Sequence, residues 1–236
     1  MSEATIGRRE LLASGAVLTA GAALAVPGAA MAQAAATPAP SGPVYAPQPV
    51  ALPFDPKAIA GLSEKLLTSH HDNNYVGAVK RLGAIDAQLA GLDMASAPGF
   101  LLNGLKREQL IAWNSMVLHE IYFSGLGAPN RPGAALAAAI ERDFGSEARW
   151  RAEFTAMGKA LGGGSGWVVL TRSNRDGRLV NQWAADHTMA LAGGTPIMVL
   201  DMFEHAYAMD YGAKAAAYVD AVVATLNWSA ADKRFG

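Results

Sequence analysis

One short stretch near residue 200 constrains this chain more than any other, because it sets a carboxylate four residues before an imidazole. An apolar run at residues 197–200 leads to Asp201, and His205 follows within Asp201-Met202-Phe203-Glu204-His205-Ala206-Tyr207. Side chains at this spacing can converge on one point, either on a helical turn or where a strand enters a helix. An anionic oxygen beside a neutral nitrogen is half of the donor set of a first-row transition-metal site.

The remaining donors of such a site should be histidines. The chain has five of them: His70, His71, His119, His187 and His205. A lone Asp-x-x-x-His pattern also fits a surface aspartate that simply pairs with a helical histidine. The choice between the two interpretations depends on which other histidines fold towards this stretch.

Composition excludes several classes of function. The 236 residues are 51% apolar and carry a formal net charge of −1, which suits one globular domain or two small layers that share a core. The charge balance shows no basic excess and therefore predicts no nucleic-acid partner. The absence of cysteine excludes disulfides, thiolate metal ligands and a cysteine nucleophile.

Residues 1–32 have the pattern of an export signal. Arg8 and Arg9 precede an apolar stretch, and Ala30-Met31-Ala32 has the small-x-small pattern of a cleavage site. The paired arginines are typical of a twin-arginine signal, so we expect a periplasmic protein without stable membrane insertion after cleavage. A retained anchor is the alternative, because the apolar stretch is nearly long enough to span a bilayer. Residues 33–50, rich in Ala and Pro, predict a flexible linker.

Residues 51–128 are predicted to form a domain of two helices. Ser63 is a good N-cap for a helix that runs to about residue 89 and contains His70. Residues 91–104 predict a connection, and a second helix from about 106 to 123 carries His119. Two such helices form an antiparallel hairpin in which each contributes one inward-facing histidine.

Residues 129–236 are predicted to form a second domain that contains a small sheet. The glycine-rich run at 162–166 is followed by a strand-like segment rather than by Lys-Ser/Thr, so it predicts close backbone packing and not a phosphate loop. We expect helices at about 134–143, 147–161 and 214–226, and strands at about 167–170, 179–183 and 196–200. The fold class is therefore α+β: an N-terminal antiparallel helical hairpin packed on a C-terminal domain with a small three-stranded antiparallel sheet surrounded by helices.

Several motifs in this order resemble the iron/manganese superoxide dismutase family from about residue 52 to residue 228. The stretch from Asp201 to Tyr207 is similar to the family's Asp-x-Trp-Glu-His-Ala-Tyr signature. Ser63-Glu64-Lys65 with the following His70 resembles the first ligand helix, and His119 in a helix with Trp113-Asn114 resembles the second. Phe144-Gly145-Ser146, Phe154 and Gly164-Ser165-Gly166-Trp167 match the run that leads into the family's sheet.

The resemblance implies one iron or manganese ion per chain, held by His70, His119, Asp201 and His205 and completed by a bound solvent. Nitrogen and carboxylate donors without thiolate suit either metal. The family usually carries His-His-x-Lys-His-His-x-Thr-Tyr in its first helix, whereas His70-His71-Asp72-Asn73-Asn74-Tyr75 is three residues shorter. The shortening leaves His71 as an alternative to His70 for the first ligand.

The resemblance also implies two catalytic residues beside the metal. Tyr75 would lie at the mouth of the site and orient the solvent or gate access, unless it is a packing residue of an amphipathic helix. His187 lies in Ala185-Asp186-His187-Thr188 and matches family members that use an Asp-His pair there. It would donate a hydrogen bond to the solvent and tune its acidity, unless it is a histidine of a strand with satisfied hydrogen bonds.

The function that the resemblance implies is superoxide dismutation, in which one-electron cycling of the metal converts superoxide into oxygen and hydrogen peroxide. We expect a homodimer or tetramer, and in the family's dimer Glu204 would contact His205 of the partner subunit. A periplasmic metal-binding or storage protein with little turnover is the alternative, and a metal-dependent peroxidase is a third hypothesis. The sequence does not choose between iron and manganese.

Overall fold

The structure, a computed structural model, describes residues 42–236. The predicted signal at 1–32 and the part of the predicted linker at 33–41 lie outside the described residues, so both stay predictions, as does the domain boundary at residues 128 and 129. Across residues 42–236, no helix combines the length and the apolar composition that crossing a membrane requires.

The N-terminal part of the described chain is a helical hairpin. Ser63 Oγ accepts the Leu66 N–H and caps α1 (Glu64–Ser69), as a serine at this position should. The helix continues through a π-helical turn (His70–Tyr75) into α2 (Val76–Ala90), and α3 (Gly99–Ser124) packs along it. The contacts Asp86–Gln109 and Tyr75–Glu120 run in opposite chain directions, which confirms an antiparallel hairpin.

The second helix of the hairpin begins at Gly99, so the prediction that all of residues 91–104 form a connection was wrong. Pro98 stands directly before the first helical residue, and its carbonyl oxygen accepts the Leu102 N–H at 3.1 Å. A proline at this point is compatible with a helix, because the first backbone N–H groups of a helix have no intrahelical partner.

The sheet consists of β1 (Trp167–Ser173), β2 (Leu179–Ala184) and β3 (Gly194–Asp201) in the order β2-β1-β3. Both pairings are antiparallel, so the predicted fold class is confirmed. Asp201 is the last residue of β3, and it pairs with Trp167 at the start of β1. The end of β3 therefore holds Asp201, the candidate metal ligand, in a buried position.

Helices surround the sheet. Two of them, at residues 208–211 and 229–235, were not predicted. The second begins directly after the buried Trp228, whose ring lies 4.7 Å from that of Trp150. The remaining helices of the described chain are α4 (Ala134–Phe144), α5 (Glu147–Ala160), α6 (Ala208–Tyr211), α7 (Ala215–Ala224) and α8 (Ser229–Phe235).

The glycine-rich run at 162–166 packs closely where it enters β1, as predicted. Gly166 has a φ of +140°, and a Cβ atom placed on it would lie 2.2 Å from the backbone oxygen of Ala184. The carbonyl oxygen of Gly166 also accepts the Met202 N–H at 2.9 Å, one residue after Asp201. A side chain at residue 166 would therefore disturb both the sheet and the segment that carries the candidate ligands.

We expect Gly166→Ala to lower the free energy of unfolding by about 1–3 kcal/mol or more, because neither the backbone angle nor the space accommodates a methyl group. Denaturant unfolding measures the loss. Gly164→Ala is the matched control, since a Cβ there would meet its nearest atom, the Leu161 oxygen, at 3.6 Å. Equal stability of the two variants would contradict the close packing assigned to Gly166.

Candidate metal centre

The structure brings all four predicted metal ligands together. Oδ2 of Asp201 lies 3.1 Å from Nε2 of His70, 3.5 Å from Nε2 of His119 and 3.3 Å from Nε2 of His205. The four potential donor atoms all lie within 4.8 Å of one another. Three of the side chains are buried, and that of His205 is 26% exposed.

Each half of the described chain supplies two of the four side chains. His70 is the first residue of the π-helical turn, and His119 lies on α3. Asp201 ends β3, and His205 follows in a short 3₁₀ turn (Glu204–Ala206). The cluster therefore joins the helical hairpin to the sheet.

Hydrogen bonds orient the aspartate. Oδ1 of Asp201 accepts the Phe203 N–H at 2.8 Å, and the Tyr218 hydroxyl donates to the Asp201 backbone oxygen at 2.7 Å. These bonds leave Oδ2 directed at the three histidines. Second partners of this kind fix the orientation of a ligand before the metal binds.

The tautomer of His119 shows that the cluster suits a cation. Nδ1 of His119 lies 2.6 Å from the backbone oxygen of Ser115, and a carbonyl oxygen can only accept, so Nδ1 carries the proton. Nε2 therefore presents a lone pair to the Asp201 carboxylate and, at 3.5 Å, to Nε2 of His205. Nδ1 of the buried His70 has no hydrogen-bond partner within residues 42–236. Lone pairs that face one another in a buried site repel unless a positive ion lies between them.

The protonation states also favour a metal ion. Burial lowers the pKa of His119 to about 3 and lowers that of His70 as well, so both imidazoles are neutral near pH 7. Burial opposes the ionisation of Asp201, but the hydrogen bonds from His205 and His70 outweigh it and hold the pKa of the carboxyl far below its usual range. Neutral imidazoles and an anionic carboxylate are the forms that bind metals. The donor set, three nitrogens and one oxygen without sulfur, fits one iron or manganese ion.

His71, the alternative first ligand, is not part of the cluster. Its Nε2 lies 2.9 Å from the Val50 oxygen, and its Nδ1 lies 2.7 Å from Oδ1 of Asp72. Both ring nitrogens are thus engaged outside the cluster. The geometry therefore favours His70.

His187 lies beside the cluster, as predicted, with a defined tautomer. Nε1 of Trp167 can only donate, and it lies 3.0 Å from Nδ1 of His187, so the proton of the neutral ring is on Nε2. The ring stacks on Phe203 at 4.7 Å, and Phe203 stacks on His205 at 5.5 Å. His187 also lines a cavity of about 270 Å³ together with Ser115, whose backbone oxygen accepts from His119.

The Tyr75 hydroxyl is engaged by groups outside the four-residue cluster, and its predicted role at the mouth of the site stays a prediction. Its hydroxyl accepts the Val50 N–H at 2.8 Å and donates to Oε1 of Glu120 at 2.9 Å. Its aromatic neighbours are His71 and Phe123, and it lines a second cavity, of about 220 Å³, with Arg234. The prediction came from the family resemblance. Residues His70–Tyr75 form a π-helical turn, in which side chains face differently from those of an α-helix.

Asn74 is a residue that the sequence analysis did not single out. It lines the cavity that also contains Ser115 and His187. The sequence carried no local signal for this placement, because the four-residue spacing of an α-helix does not set the facing of side chains in a π-helical turn.

The arrangement defines a class, proteins with a single metal ion held by three imidazoles and one carboxylate. Residues 132–234 match the family model described as iron/manganese superoxide dismutases, C-terminal domain. The chain is 68% identical over 181 residues to "Superoxide dismutase [Fe]" of Cupriavidus metallidurans, covering 77% of this chain and 92% of the relative. This chain therefore belongs to the iron/manganese superoxide dismutase family.

More distant relatives include both metals in their names. The identity to "Superoxide dismutase [Mn] 1" of Halobacterium salinarum is 33% over 192 residues, covering 78% of this chain and 92% of the relative. The identity to "Superoxide dismutase [Fe]" of Aquifex pyrophilus is 32% over 188 residues, covering 76% and 87%.

We expect the metal-free protein to lose stability as the pH falls from about 7 to about 4, because the unfolded chain protonates His119 near its ordinary pKa while the native state resists protonation down to about pH 3. The contribution of His119 to stability is fully present above its unfolded pKa and is lost as the pH falls towards its folded pKa. Asp201, whose folded pKa is also lowered, adds a loss of stability at still lower pH. Urea unfolding at several pH values measures this slope. His119→Gln should flatten it, and an equally steep slope in that variant would contradict the assignment.

We expect Tyr75→Phe to reduce the free energy of unfolding by about 1–2 kcal/mol, because Glu120 and the Val50 N–H lose a partly buried partner. The metal affinity should stay unchanged, and isothermal titration with Mn²⁺ measures it. Tyr45→Phe is the matched control, since the Tyr45 ring is 45% exposed and packs on Trp113. Weaker metal binding at unchanged stability would instead support the predicted role of Tyr75 at the mouth of the site.

Proposed function

We propose that this protein is a superoxide dismutase that uses one iron or manganese ion held by His70, His119, Asp201 and His205. The observation that carries the proposal is the convergence of three Nε2 atoms on one carboxylate oxygen in a buried site. An ion held by these four residues would supply one-electron redox chemistry, through which one superoxide is oxidised to oxygen and a second is reduced and takes up two protons to give hydrogen peroxide.

The relatives support turnover over metal storage. A protein that is 68% identical across most of this chain carries the name of a dismutase, and so do the more distant relatives. The shortened segment after His70, which motivated the storage hypothesis, is accommodated by a π-helical turn that still delivers His70 to the cluster.

Hydrogen-bonding and aromatic residues surround the cluster. Trp167 holds His187 in the tautomer that has a proton on Nε2, so His187 can donate a hydrogen bond to an oxygen atom in the adjacent cavity. Burial lowers the pKa of His187, which keeps the ring neutral near pH 7. The rings of Phe203 and Phe123 form apolar walls against the histidines.

We expect the purified protein, loaded with iron or with manganese, to accelerate superoxide decay in stopped-flow measurements with at least one of the two metals. His119→Ala should abolish the acceleration, because it removes a donor from the cluster. His71→Gln is the matched control and should keep the activity, since His71 lies outside the cluster. Binding of one metal ion per chain without faster decay for either metal would overturn the proposal in favour of storage.

The assembly state that we propose is a homodimer of the family's type. Glu204 is exposed beside the partly exposed His205, which leaves both side chains open to a second subunit. Analytical ultracentrifugation measures the mass in solution, and Glu204→Ala should weaken the dimer. A wild-type protein that sediments as a monomer at micromolar concentration would contradict this proposal.

We also propose export by the twin-arginine route, on the basis of Arg8, Arg9 and the cleavage pattern before Gln33. N-terminal sequencing of the protein from the periplasmic fraction should begin at Gln33. Replacement of both arginines by lysine should retain the protein in the cytoplasm, and unchanged export of that variant would count against the proposal.

A further inference from the structure

A cavity of about 270 Å³ is lined by residues from both arms of the hairpin. Asn74 and Arg81 line it from the π-helical turn and α2, and Ser115 lines it from α3. His187 lines the same cavity. Two of these residues contact a candidate metal ligand, because the carbonyl of Ser115 accepts from His119 and the ring of His187 lies 6.4 Å from that of His119.

Arg81 is the one permanently charged residue among those that line this cavity. Its side chain is 55% exposed, so the guanidinium faces solvent as well as the cavity. The charge forms an ion pair with Glu108 on α3, and Glu108 also lies 3.4 Å from Nη1 of Arg107. The cation is therefore held across the hairpin by a carboxylate that neutralises it only in part.

Arg81 and His187 line the same cavity. Burial is the main cause that lowers the pKa of His187; the charges of His205 and, least of all, Arg81 act in the same direction, and Asp201 and Asp186 oppose them.

We infer that Arg81 draws the superoxide anion into this cavity and that Glu108 limits the strength of this attraction. The inference rests on the proposed function. A cation beside a narrow cleft with low-dielectric walls focuses the electric field and raises the rate at which an anion enters, an effect that salt screens. The ion pair with Glu108 offsets the charge of Arg81, so removal of that carboxylate leaves the cation uncompensated.

The test compares variants of Arg81 in the metal-loaded protein as a function of ionic strength. We expect Arg81→Gln to lower kcat/KM for superoxide by about three- to tenfold at low ionic strength, and the deficit to shrink as salt is added. Arg81→Lys should keep most of the rate, because a point charge is sufficient. Glu108→Gln should raise kcat/KM at low ionic strength. Arg149→Gln, the same charge change on the exposed face of α5, is the matched control and should leave the rate unchanged.

Azide, a small monovalent anion, supplies a readout that does not depend on turnover. Its dissociation constant, measured by absorbance of the iron-loaded protein, should rise in Arg81→Gln and not in Arg149→Gln. Metal content and thermal unfolding of the variants show whether the fold is intact. Identical salt dependence and azide affinity in wild type and Arg81→Gln would overturn the inference. A wild-type protein that binds azide in an Arg81-dependent way but does not accelerate superoxide decay would instead overturn the proposed function and leave the inferred anion path standing.

Discussion

The mutual approach of one carboxylate oxygen and three imidazole nitrogens is the interaction on which the rest of this structure depends. Asp201 is fully buried, and its Oδ2 faces Nε2 atoms at 3.1 to 3.5 Å. A buried carboxylate is costly unless it is paired, and the tautomer of His119 prevents that ring from donating to it. A metal ion would resolve this conflict, because the carboxylate and the three neutral imidazoles could each give it a lone pair.

The cluster also connects the helical hairpin to the sheet. His70 and His119 come from the hairpin, whereas Asp201 and His205 come from the end of the sheet. Binding of a metal ion to four groups from both parts stabilises the folded state by mass action, because the unfolded chain holds no preformed site. The close packing at Gly166 and the hydrogen bond from Tyr218 to the Asp201 backbone both fix the end of β3, which carries one of the candidate ligands.

Much of this site could be predicted from the sequence, because its strongest signal is local. Asp201 and His205 lie in one short stretch, and the capping serine before α1 sets the register that places His70 inward. The hairpin and the antiparallel sheet followed from helical and alternating patterns with recognisable turns. The start of α3 was missed because Pro98 resembles a breaker, although a proline is compatible with the position just before a helix.

The hydrogen-bond partners of Tyr75 could not be predicted, and the reason is geometric. A π-helical turn has no propensity signal of its own, yet it changes the facing of every residue after it. Asn74 therefore lines the cavity beside His187, and the Tyr75 hydroxyl bonds to Val50 and Glu120. The ion-pair partner of Arg81 could not be predicted either, because Glu108 lies on the opposite helix of the hairpin, more than 20 residues away in sequence.

The coordination of the bound metal tests this account most directly. X-ray absorption fine structure of the iron-loaded protein should show only nitrogen and oxygen donors, with multiple scattering from three imidazoles, and His119→Gln should lose the signal of one of them. A wild-type spectrum with fewer than three imidazoles, or one that His119→Gln leaves unchanged, would contradict the assignment of the metal ligands.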